Sequence, residues 1–101
     1  MLYSFMPGAD GLSPLGRVVL DSAGAVYGTT IYGGSGNGII YKLTSQGSED
    51  QPWKETILHT FNGADGSFPA STLRFDSSGA LYGPTSGGGQ YNFGSIFRLQ
   101  P

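Results

Sequence analysis

The sequence contains one unit twice. Leu2-Tyr3-Ser4-Phe5 matches Leu58-His59-Thr60-Phe61, Gly8-Ala9-Asp10-Gly11 matches Gly63-Ala64-Asp65-Gly66, and Pro14 matches Pro69. Asp21-Ser22-Ala23-Gly24-Ala25-Val26-Tyr27-Gly28 matches Asp76-Ser77-Ser78-Gly79-Ala80-Leu81-Tyr82-Gly83. Thr30 matches Thr85, Gly33-Gly34 matches Gly88-Gly89, and Gly38-Ile39-Ile40-Tyr41-Lys42-Leu43 matches Gly94-Ser95-Ile96-Phe97-Arg98-Leu99. Equivalent residues lie about 55 positions apart, which divides the chain near 2–57 and 58–101. A period of this size marks repeat architectures, where each unit buries its apolar face only by stacking on the next.

Each copy reads as strands. Arg17-Val18-Val19-Leu20 and Thr72-Leu73-Arg74-Phe75 are short β-rich runs that end in Asp-Ser-Ala/Ser-Gly, a turn signal. Return strands follow at Val26-Tyr27-Gly28-Thr29-Thr30 and Leu81-Tyr82-Gly83, then at Ile39-Ile40-Tyr41-Lys42-Leu43 and Ile96-Phe97-Arg98-Leu99. Glu55-Thr56-Ile57-Leu58-His59-Thr60-Phe61 supplies a fourth strand. No stretch carries apolar residues at helical spacing over three turns, so no substantial helix is expected. With 18 glycines, 6 prolines and 13% aromatic residues in 101, the chain suits many short strands joined by tight turns.

Four antiparallel strands per copy at this period describe a propeller blade. Adjacent apolar residues such as Val18-Val19-Leu20 and Ile39-Ile40-Tyr41 call for cover on both sheet faces, which stacked blades provide. The strands are placed near 16–21, 25–31, 38–43 and 54–61 in the first copy, and near 71–76, 80–86 and 94–99 in the second. The outer strand of the second blade is then expected from Leu2-Tyr3-Ser4-Phe5 of a neighbouring chain. The expected fold is an all-β propeller with two four-stranded blades per chain. Two blades cannot close a ring, so closure by homo-oligomerisation is expected: three chains for six blades, four for eight. Further repeats on a longer chain are the competing expectation.

The Leu-Tyr-Ser-Phe, Gly-Ala-Asp-Gly, Asp-x-x-Gly-x-Val/Leu-Tyr-Gly and Gly-x-Ile-Tyr/Phe-Lys/Arg-Leu runs resemble the GloVer-type extracellular tandem repeat of bacterial proteins, over nearly the whole chain, twice. The Asp-x-x-Gly hairpin is also similar to that of NHL-type propellers. The resemblance implies tandem repeats, usually in exported proteins, and carries no enzymatic role. Met1-Leu2-Tyr3-Ser4-Phe5-Met6-Pro7-Gly8 has neither a basic region nor a long apolar stretch, so it does not read as a signal peptide, and the compartment stays open.

Charge and composition narrow the partners. Charged residues make up 12% of the chain and the net charge is −2, with no Lys/Arg patch to drive binding to nucleic acid or an anionic membrane. The absence of cysteine excludes disulfides and thiolate metal sites. His59, the only histidine, matches Tyr3 and reads as a strand position; no Ser-His-Asp set or zinc cluster is built twice, so no enzyme and no cofactor are expected.

Strand order gathers one set of loops on one face: Gly8-Ala9-Asp10-Gly11, Gly63-Ala64-Asp65-Gly66, the loop from Tyr32 to Gly38 and the loop from Gly87 to Gly94. Candidate ligand-binding residues there are Asp10, Asp65, Tyr32, Asn37, Tyr91 and Asn92. Carboxylates and amides bond hydroxyls, and aromatic rings cover the apolar side of a sugar, so carbohydrate is the leading ligand class. The alternative is a structural or protein-interaction propeller without a small ligand. Asp10 and Asp65 also read as turn formers that bond their own backbone, and they lack the dense ligand spacing of dedicated calcium loops, so no metal site is expected. Asp21 and Asp76 read as hairpin residues, Tyr27 and Tyr82 as core. Trp53, the only tryptophan, reads as an anchor for the fourth strand or an exposed contact.

Overall fold

The computed structural model describes residues 12–34, 36–47, 51–69 and 73–101, with side chains from residue 18 onward. Seven strands form two antiparallel sheets, and no helix occurs among the described residues. The first sheet holds β1 (Leu12–Leu20), β2 (Val26–Tyr32), β3 (Ile39–Thr44) and β4 (Lys54–Thr60), in sequence order. The second holds β5 (Arg74–Phe75), β6 (Leu81–Thr85) and β7 (Ser95–Leu99), also in order. The first sheet thus has the four expected strands. The second has three, and Leu2-Tyr3-Ser4-Phe5, expected to supply a fourth to a neighbour, lies outside the described residues.

The first strand of each sheet differs from expectation in extent. β1 begins at Leu12, upstream of Pro14 and Gly16, and absorbs them through a register shift between Leu15 and Val19. The extra residue of a bulge lets a strand continue past positions that cannot keep a regular ladder. In the second copy the ladder is split. Ser67 pairs with Gly87 as an isolated bridge, at the position equivalent to Leu12 and Tyr32. Phe68 then takes φ +56°, an uncommon value for a non-glycine residue, and Arg74 and Phe75 pair with Tyr82 and Leu81.

The hairpins rest on the repeated aspartates. The Asp21 carboxylate accepts hydrogen bonds from the amides of Ala23 (2.9 Å) and Ala25 (3.0 Å), and Asp76 accepts them from Ser78 (2.8 Å) and Ala80 (3.0 Å). Both close the chain reversal from the side-chain side, the way Asx turns do.

The repeated Gly28 and Gly83 have a packing reason. Gly28 sits opposite Tyr41, and Gly83 sits opposite Phe97. The aromatic ring lies over the glycine in each pair: a Cβ at Gly83 would come within 2.6 Å of the Phe97 ring, and one at Gly28 would run into Tyr41. The missing side chain makes the slot that the aromatic residue fills.

The two sheets stack head to tail. Side chains alternate across each sheet. Val19, Tyr27 and Ile40 therefore share one face of the first sheet, and Val26, Ile39, Tyr41 and Leu43 share the other. In the second sheet Leu73, Phe75, Leu81, Phe97 and Leu99 form the face that meets the first. Ala25, Tyr27, Leu73 and Leu81 make the buried cluster between the sheets, flanked by Val19, Leu58, Phe75, Phe97 and Leu99. Tyr27 meets the Phe75 ring edge-on at 5.1 Å, and Phe61 meets Phe97 at 5.5 Å. The far face of the first sheet buries Val26, Ile39, Tyr41 and Leu43, with the half-buried Trp53 packed against them, so Trp53 anchors the approach to β4.

Candidate functional site

Three described loops meet at one end of the sheets, as the strand order requires. The β2–β3 loop meets the β4–β5 loop where the Phe68 amide donates to the Asn37 carbonyl (2.9 Å). The β4–β5 loop meets the β6–β7 loop through paired bonds between Ser67 and Gly87 (2.9 and 3.1 Å), and through the Gly89 amide donating to the Gly63 carbonyl (2.8 Å). Asp10 and its loop lie outside the described residues.

The candidate residues in these loops differ in what their side chains have left to offer. Asp65 and Asn62 are locked together: each side-chain oxygen accepts the other's amide, at 3.0 and 3.1 Å. The second Asp65 oxygen meets His59 Nε2 at 2.6 Å. Burial works against the Asp65 carboxylate, but the Asn62 amide and the His59 ring outweigh it and hold the carboxyl below its ordinary range. Asn92 adopts φ +62° and its amide reaches the Gly89 carbonyl at 3.4 Å, so it is a turn residue. Asn37 contributes its carbonyl to the loop junction. Tyr32 is exposed and set edge-on against Phe68 at 5.7 Å. Tyr91 is 72% exposed, and its neighbour Phe93, which the sequence did not single out, is 92% exposed.

A cleft of about 260 Å³ opens beside this end of the molecule. It is lined by Ile40, His59, Phe61 and Asp65 together with Ile96, Phe97, Arg98 and Leu99 of β7. Among the described residues no three His, Asp or Glu side chains come close enough to share a metal ion.

A second arrangement, at the hairpin end, escaped the sequence reading. Tyr27 Oη donates to Asp21 Oδ2 at 2.9 Å, and Lys42 Nζ stands 5.5 Å over the Tyr27 ring. In the second copy Arg98 lies 5.8 Å from the Tyr82 ring centre, and its Nε donates to Tyr82 Oη at 2.9 Å. An Asp, a Tyr and a cation thus recur at matching places, and the aligned copies held that signal. The Ser78 hydroxyl is the largest influence on Asp76; with the Ala80 amide and Tyr82 it lowers the carboxyl from 3.8 to about 2. The Ala25 amide is foremost in lowering Asp21.

These shifts give a pH prediction. A carboxylate depressed in the folded state contributes stability above its ordinary value, and that contribution is lost as pH falls through the folded value. Thermal melts should therefore hold level above about pH 5 and fall between about pH 4 and 2. Asp76→Asn should lower Tm at neutral pH and flatten the acid decline, whereas an unchanged acid profile would remove Asp76 from this role.

Two sheets of one plan, stacked through unlike faces and joined by glycine-rich loops, define an all-β tandem-repeat module. The chain belongs to the Gloeobacter/Verrucomicrobia repeat family, whose model it matches over residues 1–101. No curated protein and no solved structure is significantly similar to it.

Proposed function

We propose that this chain is a non-enzymatic β-propeller unit whose role is association. Its two sheets act as consecutive blades, and copies add head to tail until a ring closes as a homotrimer or homotetramer. One observation carries the reading: the same repeat position is buried in one copy and exposed in the other. Tyr27 is 3% exposed and its equivalent Tyr82 is 36% exposed; Ile40 is 1% exposed and Ile96 75%. On the opposite face Leu73 is 1% exposed and its equivalent Val18 48%, while Leu20, the equivalent of the half-buried Phe75, is also exposed.

The buried members are those at the contact between the two sheets. The exposed members lie on the outer faces, Tyr82 and Ile96 on the second sheet and Val18 and Leu20 on β1 of the first. Tyr82 and Ile96 carry the surface that Tyr27 and Ile40 present to the second sheet, and Val18 and Leu20 carry the surface that Leu73 and Phe75 present to the first. The outer face of the second sheet and the exposed β1 side of the first are the surfaces a heterologous contact would use, whereas Val26, Ile39, Tyr41 and Leu43 on the rest of the first sheet's outer face are already buried. Tyr82, expected as core from its match to Tyr27, becomes core only in this assembly. Light scattering tests the reading directly: three or four chain masses support it, and a folded monomer overturns it.

A second reading concerns the loop end. Tyr91 and Phe93 stand out of a glycine-rich loop, and exposed aromatic rings beside amides suit the apolar face of a sugar. Asp65 is a poor hydroxyl partner because both carboxylate oxygens are engaged. Binding of a glycan to the folded protein should raise its Tm, and Tyr91→Ala should abolish that shift. A glycan panel that produces no shift would leave association as the whole function.

A further inference from the structure

We infer that a cleft at the hairpin end of the first sheet binds a neutral saccharide, holding two adjacent hydroxyls of one sugar ring between Asp21 and Lys42 with the ring against Trp53. The site lies at the opposite end of β2 from the loop cluster, and one chain supplies all of it. Its volume of about 370 Å³ falls in the range of small-ligand sites and accommodates a pyranose ring. The β1–β2 hairpin contributes Asp21 and Gly24, β3 contributes Lys42 and Thr44, and the connection to β4 contributes Ser45 and Trp53. A Cβ at Gly24 would meet nothing within 4 Å, so the cleft is open on the hairpin side.

The hydrogen-bonding capacity left in these side chains selects the ligand. Asp21 Oδ1 is filled by the amides of Ala23 and Ala25. Oδ2 accepts the Tyr27 hydroxyl at 2.9 Å, and a carboxylate oxygen has room for a second donor. Lys42 holds Nζ 5.5 Å over the Tyr27 ring, which engages one side of an ammonium that carries three donors. The cleft therefore sets an acceptor that cannot donate beside a donor that cannot accept. A simple anion would suit Lys42 but be repelled by Asp21, and a simple cation the reverse. Two neighbouring sugar hydroxyls satisfy both groups without net charge, one donating to Asp21 Oδ2 and the next accepting from Lys42 Nζ. Thr44 and Ser45 add hydroxyls; Ser45 Oγ accepts the Gly47 amide at 3.1 Å and keeps its proton to donate. Trp53 packs inward on Val26, Ile39, Tyr41 and Leu43, and the part of it left exposed borders the cleft, where an aromatic surface covers the apolar side of a sugar. The walls are fixed in advance: Thr44 pairs with Lys54, and Gln46 Nε2 donates to the Pro52 carbonyl at 2.7 Å, tying together the two legs of the connection that carry Ser45 and Trp53.

Trp53 is the only tryptophan, so its fluorescence reports this cleft directly. The full chain is titrated with the methyl pyranosides of glucose, galactose and mannose, and with methyl glucuronide. At least one neutral pyranoside should shift the Trp53 emission in a saturable way and raise Tm. Lys42→Gln should weaken that binding by about tenfold or more, since a hydrogen bond to a charged group is lost. Thr44→Val keeps a β-branched residue at the end of β3 and should weaken it by about threefold or more, which serves as the test if Lys42→Gln disturbs folding. Tyr91→Ala, at the other end of the molecule, should leave the Trp53 response unchanged. No emission change with any neutral pyranoside would overturn the site, as would a change that persists undiminished in both Lys42→Gln and Thr44→Val. Tighter binding of the glucuronide than of the glucoside would overturn the neutral pairing of Asp21 with Lys42. A Tm shift that Tyr91→Ala abolishes, with Trp53 silent throughout, would place the sugar at the loop end and overturn the hairpin site alone.

Discussion

Alanine at Gly38 is expected to cost the protein about 3 kcal/mol, and alanine at Gly36, two residues earlier in the same loop, about 1 kcal/mol. Both glycines have positive φ, +91° at Gly38 and +105° at Gly36, so both variants carry the penalty of an L-residue in the left-handed region. The surroundings separate them. A Cβ at Gly36 meets nothing within 4 Å. At Gly38 it runs into the carbonyl oxygen of Thr30, and lies 2.7 Å from Pro69 Cδ and 2.8 Å from the carbonyl oxygen of Ile31. Two of those obstacles are backbone, and they belong to β2, which is paired with β3 immediately beyond the loop. Relief would require moving the ladder. Gly38 also accepts the Phe61 amide at its carbonyl and donates its own amide to Gly33. A shift there would pull at β4 as well. Urea unfolding of the two variants beside the parent measures the difference; equal losses would mean that backbone conformation alone sets the cost.

Much of this fold was legible because the chain spells it twice. The Asp-x-x-Gly runs located both hairpins, since an Asp side chain can close a turn with its own backbone wherever that turn occurs. β2, β3, β4, β6 and β7 fell within a residue or two of their expected bounds, because their β-branched and aromatic residues sit between glycine-rich breaks. β1 was harder: Pro14 and Gly16 argue against a strand locally, and pairing with β2 overrides them. At the loop end the sequence correctly grouped the β2–β3, β4–β5 and β6–β7 loops but misjudged what their side chains were free to do. Asp65 looked available until His59, six residues earlier on β4, proved to be in contact with it. That contact depends on how β4 leaves the sheet, which spacing alone does not reveal. Exposure was the least legible property. Tyr27 and Tyr82 occupy one motif, Asp-x-x-Gly-x-Val/Leu-Tyr-Gly, and identical local sequence cannot say which copy has a neighbour.

That same degeneracy yields the sharpest test of association. Ile40→Asp and Ile96→Asp are one substitution at one repeat position, and they should fail in different ways. Ile40 is fully buried on the face of the first sheet that carries Tyr27, so an aspartate there buries an unpaired carboxylate, costing about 3–5 kcal/mol on top of the lost packing. Against a whole stability of about 5–15 kcal/mol that is enough to unfold much of the chain. Ile96 is largely exposed in the single chain, so an aspartate there is hydrated and the β-rich circular dichroism spectrum should stay intact. The penalty at Ile96 falls due only when a second copy stacks on that face and turns it into the surroundings of Ile40. Association should then weaken by roughly a hundredfold or more per contact, since every 1.4 kcal/mol is about a factor of ten, and light scattering should find folded monomers in place of the proposed ring. An Ile96→Asp protein that keeps the parent's oligomeric mass would show that this face is not the contact, whatever the repeat suggests. A variant that unfolds like Ile40→Asp would instead show that the chain needs its neighbour in order to fold, and stability rising with protein concentration in the parent would then be the matching sign.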